Sequence, residues 1–452
     1  MPHTADTLPI QSHLDELNEA LDSGTFIQVR RLLDSLPSAD IADLLEASPP
    51  KTRTILWQLI DENRGGEILQ DLGDDIQSQF LQDMNTDEVV AATEGLETDD
   101  IADILQQLPG QVIQEVLESM DQQDRQRVEQ VLSYPEDTAG GLMNTDVITV
   151  RPKITLDVVL RYLRRHEKLP TMTDTLFVVN REDQLIGLLP IRKLLVTDPN
   201  ITVREVMKTD IEALHATMDD GEVASLFERH DWVSAPVVDD NNQLLGRITI
   251  DDVVDVIRED ADHSLMSLAG LDEDEDTFAP LLKTWPRRTI WLCVNLLTAF
   301  AAAAVINVFQ ASIEKVVALA VLMPIVASMG GIAGTQALTV VIRGIALGQI
   351  GRNNRRWLVN REVMIGVLNG LCWSMIIAIA ATLWFGDIKL GAIIAAAIVI
   401  NMIIAGLTGS ALPMILKGLK IDPALAGGVI LTTVTDVMGF LSFLGLATLL
   451  YT

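Results

Sequence analysis

Five long apolar segments occupy the C-terminal part of the chain, and they restrict its fold more than any other feature. Each is long enough to cross a hydrocarbon core of about 30 Å, which takes about 20 helical residues. They lie near residues 288–309, 316–342, 358–385, 389–416 and 425–450. Because lipid leaves no partner for unpaired backbone groups, these segments are predicted to form a five-helix transmembrane domain over residues 287–452.

The basic residues around these segments predict an orientation in the membrane. They cluster at 287–288, 352–361 and 417–420, which all fall on one side if five helices cross the bilayer. The positive-inside rule then places the N-terminus and the soluble part in the cytosol, and the C-terminus outside the cell (inner or plasma) membrane. The polar, acidic start predicts no signal peptide. Cys293 and Cys372 fit neither a disulfide framework nor a metal site, so a reducing compartment is expected.

Charge divides the chain into two parts of opposite sign. The whole chain has 33 basic and 63 acidic residues, of which only nine basic and five acidic residues lie in 289–452. Residues 1–288 therefore carry a formal charge of −34, and the membrane part carries +4. Such a polyanion repels nucleic acid and attracts cations, so divalent cations are expected as partners and nucleic acid is not.

One acidic residue lies deep in the last apolar segment. Asp436 follows Thr432, Thr433 and Thr435. An ionisable group at bilayer depth is costly and usually faces a water-filled path, where it binds or moves charge. Oxygen-only surroundings suit a hard cation such as Mg²⁺ better than zinc or copper. Asp436 is therefore the predicted pore metal site, with a helix-packing carboxylate as the alternative.

Proline and glycine interrupt two of the apolar segments. Pro324 precedes a Gly-Gly-Ile-Ala-Gly-Thr-Gln run at 330–336, and Pro413 follows Asn401, Gly406 and Gly409. These residues predict broken helices that bare carbonyls along a cavity, although small residues also permit close helix packing. The candidate pore-lining residues are Gly330, Gly331, Asn401, Thr432 and Thr435.

The soluble part has two repeated patterns. In residues 1–135 the run Asp-Ile-Ala-Asp at 40–43 recurs at 100–103, and apolar residues at helical spacing predict an acidic, all-α superhelical N domain. Residues 136–260 contain two units that each read helix, strand, turn, strand, helix, and this α/β pair resembles tandem CBS domains. Such pairs bind adenine nucleotides or serve as plain dimerisation modules, and both interpretations stay open.

An acidic helix follows the second unit. Acids at 251, 252, 255, 259, 260 and 262 share one helix, and like charges at this spacing destabilise it unless cations neutralise them. A divalent-ion sensor is therefore predicted there. Residues 261–286 are predicted to form a connecting helix and a linker to the membrane domain.

The motifs together resemble the MgtE family of magnesium channels and transporters over essentially the whole chain. They are the run from Pro324 through 330–336 to Arg343-Gly344, Asp422-Pro423-Ala424, and Thr-Thr-Val-Thr-Asp at 432–436. The resemblance implies that Asp436 lies in a pore and holds a hydrated Mg²⁺. One departure is Ile332, because the family usually has Asn there. The family also has acids where this chain has His263 and Ser264.

The resemblance implies a set of regulatory residues as well. Its sensor candidates in this chain are Glu67, Asp99, Asp103, Asp231, Asp252, Asp255, Asp260 and Asp422. The nucleotide motif Gly-x-x-Thr-x-x-Asp is present in the second CBS unit as Gly246, Thr249 and Asp252 and is degraded in the first. ATP is therefore a candidate ligand of the pair, and whether it binds stays open.

These observations favour transport over catalysis. The chain has no His-Glu-x-x-His string and no P-loop, which argues against a membrane metalloprotease and a P-loop pump. We expect a homodimeric, Mg²⁺-selective channel that imports magnesium and that cytosolic Mg²⁺ closes through the N and CBS domains. Two alternatives stay open. The first is an ion-coupled secondary transporter or a divalent-cation exporter, and the second is a nucleotide sensor that acts on a partner protein.

Overall fold

A computed structural model describes residue 17 and residues 26–166, 168–271 and 275–451, with the side chain of Glu62 left out. The chain divides into two compact units, one of residues 1–261 with 274–280 and one of residues 262–273 with 281–452. Most of the first 25 residues of the predicted N domain, and 272–274 of the predicted linker, lie outside the described residues.

The N-terminal half of the first unit is a chain of short helices, as the sequence predicts. The helices are α1 (Phe26–Ser35), α2 (Ser38–Glu46), α3 (Pro50–Trp57), α4 (Gly65–Gln70), α5 (Asp74–Asp83), α6 (Thr86–Thr93), α7 (Thr98–Gln106), α8 (Gly110–Ser119) and α9 (Gln122–Leu132). The two sequence repeats form α2 and α7, and each buries four apolar side chains at helical spacing. Proline at the N-cap of α2, α3 and α8 sets where those helices begin.

Two similar α/β units follow, which confirms the tandem CBS prediction. Their elements are β1 (Thr149–Val150), α10 (Leu156–Leu163), β2 (Thr175–Val179), β3 (Leu185–Pro190), α11 (Ile191–Val196), α12 (Val203–Val206), β4 (Leu214–His215), α13 (Asp220–His230), β5 (Ser234–Val238) and β6 (Leu244–Thr249). In each three-stranded sheet, a parallel pair is followed by an antiparallel hairpin. The second hairpin leads into α14 (Ile250–Leu268), the predicted acidic helix.

The second unit contains five helices long and apolar enough to cross a membrane, as predicted. They are α15 (Leu281–Val308), α17 (Ala318–Ala346), α18 (Arg355–Phe385), α19 (Ile388–Gly418) and α20 (Pro423–Tyr451), with the short α16 (Gln310–Lys315) between the first two. The prediction of broken helices is wrong, because α17 runs without interruption through Pro324 and α19 runs through Pro413.

The glycines of these helices serve close packing instead. A Cβ on Gly330 would lie 2.1 Å from the Asn401 amide nitrogen, and one on Gly439 would lie 2.8 Å from it. A Cβ on Gly409 would lie 2.5 Å from the Gly334 carbonyl oxygen. Three helices, α17, α19 and α20, therefore approach each other at points where only hydrogen fits. This is the small-residue packing that membrane helices use in place of a hydrophobic driving force.

Candidate functional site

Asp436 lies at a cavity of about 770 Å³ on the surface of the membrane unit. The lining residues come from one face of α17 and one face of α20, and they are Ala327, Ser328, Gly331, Ile332, Thr335, Gln336, Thr339, Val340, Thr432 and Asp436. Many of these side chains are exposed, so the cavity is an open groove rather than an enclosed pocket. Asp436 is the one acidic residue among those lining it.

Two threonines that line this groove use their hydroxyl protons within their own helices. Thr335 donates its hydroxyl proton to the Gly331 carbonyl at 2.9 Å, and Thr432 donates to the Gly428 carbonyl at 3.0 Å. Since each proton is used within its own helix, the oxygen lone pairs remain available to water or to a cation. The groove therefore offers one negative charge and several neutral oxygens, which suits a hydrated ion.

The predicted pore-lining set divides between this groove and the helix packing. Gly331 and Thr432 line the groove. Asn401 does not, because its buried side chain donates to the Val326 carbonyl at 2.9 Å, and Gly330 packs against it. Thr435 is also buried and donates to Leu431 in its own helix. Asn401, Gly330 and Thr435 support the fold of this unit rather than its cavity.

Sequence reasoning missed several groove residues on α17. Ser328, Ile332, Thr335 and Thr339 follow each other at spacings of three and four, so they lie on one helix face. That spacing was visible in the sequence. Ile332 and Thr335 lie in the run at 330–336, but only two of its glycines were predicted to line the pore.

Asp422 occupies the start of the last membrane helix. Its two carboxylate oxygens accept the Ala424 and Leu425 amide protons, each at 2.9 Å, so it caps α20. The imidazole Nε2 of His263 lies 3.6 Å from the same carboxylate. A protonated His263 would thus place a positive charge beside Asp422.

The second candidate region joins the N domain to the acidic helix. Asp99, at the start of α7, is 6% exposed, and its Oδ1 has no hydrogen-bond partner among the residues that the structure describes. Burial, together with the charge of nearby Asp252 at the start of α14, raises the pKa of Asp99 well above its usual range. Burial, together with the charge of Asp251, raises the pKa of Asp252 to about 7. Two mutually repelling carboxylates are therefore held together with little water.

Further acids crowd the same region. Burial and the charge of Glu97 raise the pKa of Asp100 to about 6. Asp103 keeps an exposed surface, and partial desolvation followed by the charge of Glu136 raises its pKa well above the usual range. Asp100 was not among the predicted sensor residues, although it stands beside Asp99 in the sequence.

The other sensor candidates on α14 face different neighbours. Burial and then the charge of Asp255 raise the pKa of Asp71 to about 6, and Glu67 adds to this effect. Asp260 lies near Asp220 at the start of α13, where burial is the main cause of the raised pKa of Asp220. Sequence reasoning missed Asp71 and Asp220, because nothing local to them signals proximity to α14.

Asp231 stands apart from this set. It follows α13 in a left-handed conformation, with φ of 51°, and is exposed. Within the described part of the chain, no group of three or more His, Cys, Asp or Glu side chains is arranged to hold a metal ion directly.

The nucleotide motif has its polar groups engaged within the second CBS unit. The Thr249 amide donates to an Asp252 carboxylate oxygen at 3.2 Å, and the hydroxyl lies 3.0 Å from that oxygen and also donates to Asp251. A Cβ on Gly246 would lie 2.7 Å from the Asn144 carbonyl oxygen. The motif thus fixes the start of α14, and it shares Asp252 with the acidic region.

Comparisons with known proteins cover most of the chain. Residues 323–446 match the family described as MgtE, divalent cation transporter, residues 36–137 match the MgtE intracellular N domain, and residues 139–197 and 203–259 match CBS domains. The chain is 32% identical to the magnesium transporter MgtE of Thermus thermophilus over 96% of its own length and 97% of the relative.

Two further similarities are shorter. The chain is 35% identical to the magnesium transporter MgtE of Bacillus subtilis, over 71% of each protein. A crystal structure of the cytosolic domain of the Mg²⁺ channel MgtE in complex with ATP is 32% identical, covers 54% of this chain and 99% of that chain, and has a TM-score of 0.49.

Proposed function

Because the chain belongs to the MgtE family of divalent cation transporters, we propose that it is a multi-pass membrane channel that conducts Mg²⁺ into the cell past Asp436. The observation that carries this proposal is the groove, in which one carboxylate lies among neutral oxygens. Mg²⁺ gives up its water reluctantly and is commonly held by one or two carboxylates through a retained shell. A wide groove with a single acid suits that ion and allows it to leave.

The open side of the groove supports a homodimer. Two copies related by a two-fold axis would close the groove and bring two Asp436 carboxylates to one ion, since a two-fold interface uses the same surface on both subunits. The exposed side chains of Ile332, Thr335 and Val340 would then lie against the path or against the second copy instead of lipid.

The acidic region supports control by cytosolic Mg²⁺. Repulsion between Asp99 and Asp252 opposes the arrangement described above, and a cation between them would favour it. The Asp99 oxygen without a partner leaves a place where such an ion, or its water shell, would bind. Mg²⁺ would close the channel if it binds the closed arrangement more tightly than the open one.

Orientation and nucleotide binding belong to the same proposal. The basic clusters near 287–288, 352–361 and 417–420 support an orientation with the soluble unit and the N-terminus in the cytosol and the C-terminus outside. ATP remains a candidate ligand of the CBS pair through Gly246, Thr249 and Asp252. Because Asp252 also faces Asp99, a bound nucleotide would act on the acidic region.

Flux through reconstituted protein tests the function. We expect Mg²⁺ to enter liposomes down its own gradient, with equal proton and sodium concentrations on both sides, and we expect Mg²⁺ on the face bearing the soluble unit to stop it. Flux that requires a proton or sodium gradient would instead indicate a coupled transporter. Flux that ignores Mg²⁺ on that face would contradict the gating part of the proposal alone.

A further inference from the structure

A buried ion pair joins the N domain to the segment that leads into the first membrane helix. Arg53, on α3, is fully buried, and the side chain of Asp276 is 6% exposed. The guanidinium donates from Nη1 to Oδ2 at 2.9 Å and from Nη2 to Oδ1 at 3.2 Å, which is a two-pronged contact. Its Nε donates to the Leu45 carbonyl at 2.9 Å.

Asp276 is itself held in a fixed turn. Its Oδ1 accepts the Phe278 amide proton at 2.9 Å, and its carbonyl oxygen accepts the Ala279 amide proton at 3.0 Å. The sequence offers five consecutive acids at 272–276, any of which could neutralise an arginine. The turn and the two-pronged contact select Asp276, so the register of this segment against the N domain is fixed.

The pair lies a short distance along the chain from the membrane part. Helix α15 begins at Leu281, five residues after Asp276. An extended chain of that length reaches at most about 18 Å. While the pair is intact, movement of α3 beyond that reach must therefore move the first residue of α15.

The N domain thus has two attachments of opposite character. Its contact with α14 sets Asp99 against Asp252, and it is repulsive when both carboxylates are ionised and no cation lies between them. Its contact with the linker sets Arg53 against Asp276 and is attractive without any ion. Separating the second contact would leave a buried guanidinium without its carboxylate, which is strongly unfavourable. Loss of Mg²⁺ would therefore release the first contact and leave the second in place.

We propose that Arg53 and Asp276 form a clamp that transmits Mg²⁺-dependent movement of the N domain to the first membrane helix. Both are positioning residues, since neither lies at a cation site. The clamp is a feature of the chain by itself, whereas its role in gating rests on the proposed function.

The test compares Asp276→Asn with Glu129→Gln in the full-length protein. Both changes remove one negative charge from a carboxylate that accepts from an arginine, and the Arg125–Glu129 pair is exposed on α9. We expect Asp276→Asn to speed hydrogen exchange at the Phe278 and Ala279 amides, and Glu129→Gln to leave it unchanged. Arg53→Lys keeps the charge but loses the two-pronged contact, so it should also speed exchange.

Gating supplies the readout that a purely structural role would not change. We expect the Mg²⁺ concentration for half-inhibition of flux to rise at least about fivefold in Asp276→Asn, the lower end of typical allosteric coupling. Flux without inhibiting Mg²⁺, and protection of the N domain from protease by Mg²⁺, should match wild type.

If Mg²⁺ closes the wild type and Asp276→Asn shows the same half-inhibiting Mg²⁺ concentration, the clamp is overturned. A loss of protease protection in step with inhibition would also overturn it, because the pair would then only stabilise the sensor. If Mg²⁺ does not close the wild-type channel, the pair has no role in gating. Hydrogen exchange at Phe278 and Ala279 would still decide whether the Arg53–Asp276 contact exists.

Discussion

The groove and the acidic region use the same functional group in opposite surroundings. Asp436 is a single acid among neutral oxygens in an open groove. Asp99 is buried next to Asp252, and both belong to a crowd of acids. A single hydrated carboxylate attracts a cation but is stable without one, so a cation can bind there and leave again during conduction. Crowded carboxylates with little water need protons or cations to stay together, and so they suit detection.

The largest expected effect separates the two regions by flux. Asp436→Ala removes the one charge of the groove, and loss of a charge-assisted contact of about 3 kcal/mol corresponds to about 100-fold. We expect Mg²⁺ uptake by proteoliposomes to fall by at least that factor. Asp436→Asn keeps the size but not the charge and should fail similarly. Glu314→Gln is the matched control, because Glu314 lies on α16 and does not line the groove. Normal uptake by folded Asp436→Ala protein would contradict the pore assignment.

The next effect acts on inhibition and leaves conduction intact. Replacing Asp252, Asp255 and Asp260 together by Asn removes carboxylates that face α7, Asp71 and Asp220. Although this also relieves repulsion, we expect the lost ion bridges to dominate, because the closed state needs them to hold separate elements together. Half-inhibition of flux should require at least about fivefold more Mg²⁺.

A matched triple variant controls for net charge. It replaces three exposed acids by Gln, and these are Glu118, Glu129 and Glu228. Its inhibition curve should overlay that of the wild type. If the Asn variant instead closes at lower Mg²⁺, then charge repulsion alone governs gating and ion bridging does not.

A smaller effect concerns stability without metal. Asp99→Asn removes a buried charge that repels Asp252, so the soluble half, residues 1–280, should gain about 1 kcal/mol or more when Mg²⁺ is absent. The melting temperature should then rise by roughly 2–4 °C in a chelating buffer. Saturating Mg²⁺ should raise it less in the variant than in wild type. A lower melting temperature in the chelating buffer would mean that Asp99 is stabilised by a contact other than an ion.

The last prediction concerns the pH dependence of the metal-free soluble half. Folding raises the pKa of Asp252 from 3.8 to about 7, and that of Asp99 moves in the same direction. The folded state therefore holds more protons than the unfolded chain between these values. This stability is fully present below pH 4 and is lost as the pH rises through about 7. Urea unfolding at pH 5 and pH 8 should show greater stability at pH 5, and Mg²⁺ should reduce the difference. Equal stability without metal would contradict the close contact of these acids.

The sequence predicted the elements of both regions but only part of their contacts. Five membrane helices and two CBS units follow from hydropathy and from pairs of short apolar strands that flank a polar turn, which are local signals. The proximity of Asp71 to Asp255, and of Arg53 to Asp276, depends on residues far apart in the chain, and nothing near either partner indicates it. Asn401 was misplaced for a related reason, since a polar residue in an apolar segment fits a pore as well as a packing contact.

The Asn401 contact also indicates which membrane helices can move. Its amide occupies the space left by Gly330 on α17 and Gly439 on α20. The side chain of one residue of α19 therefore packs into both neighbouring helices and interlocks the three. Rotation or sliding of α17 would first have to withdraw that amide, and the groove face that bears Thr335 turns with the helix. In α15, by contrast, only Ala302 is buried. The protomer therefore combines three interlocked helices, which carry the cation groove, with a first membrane helix that buries little of its own surface within the protomer.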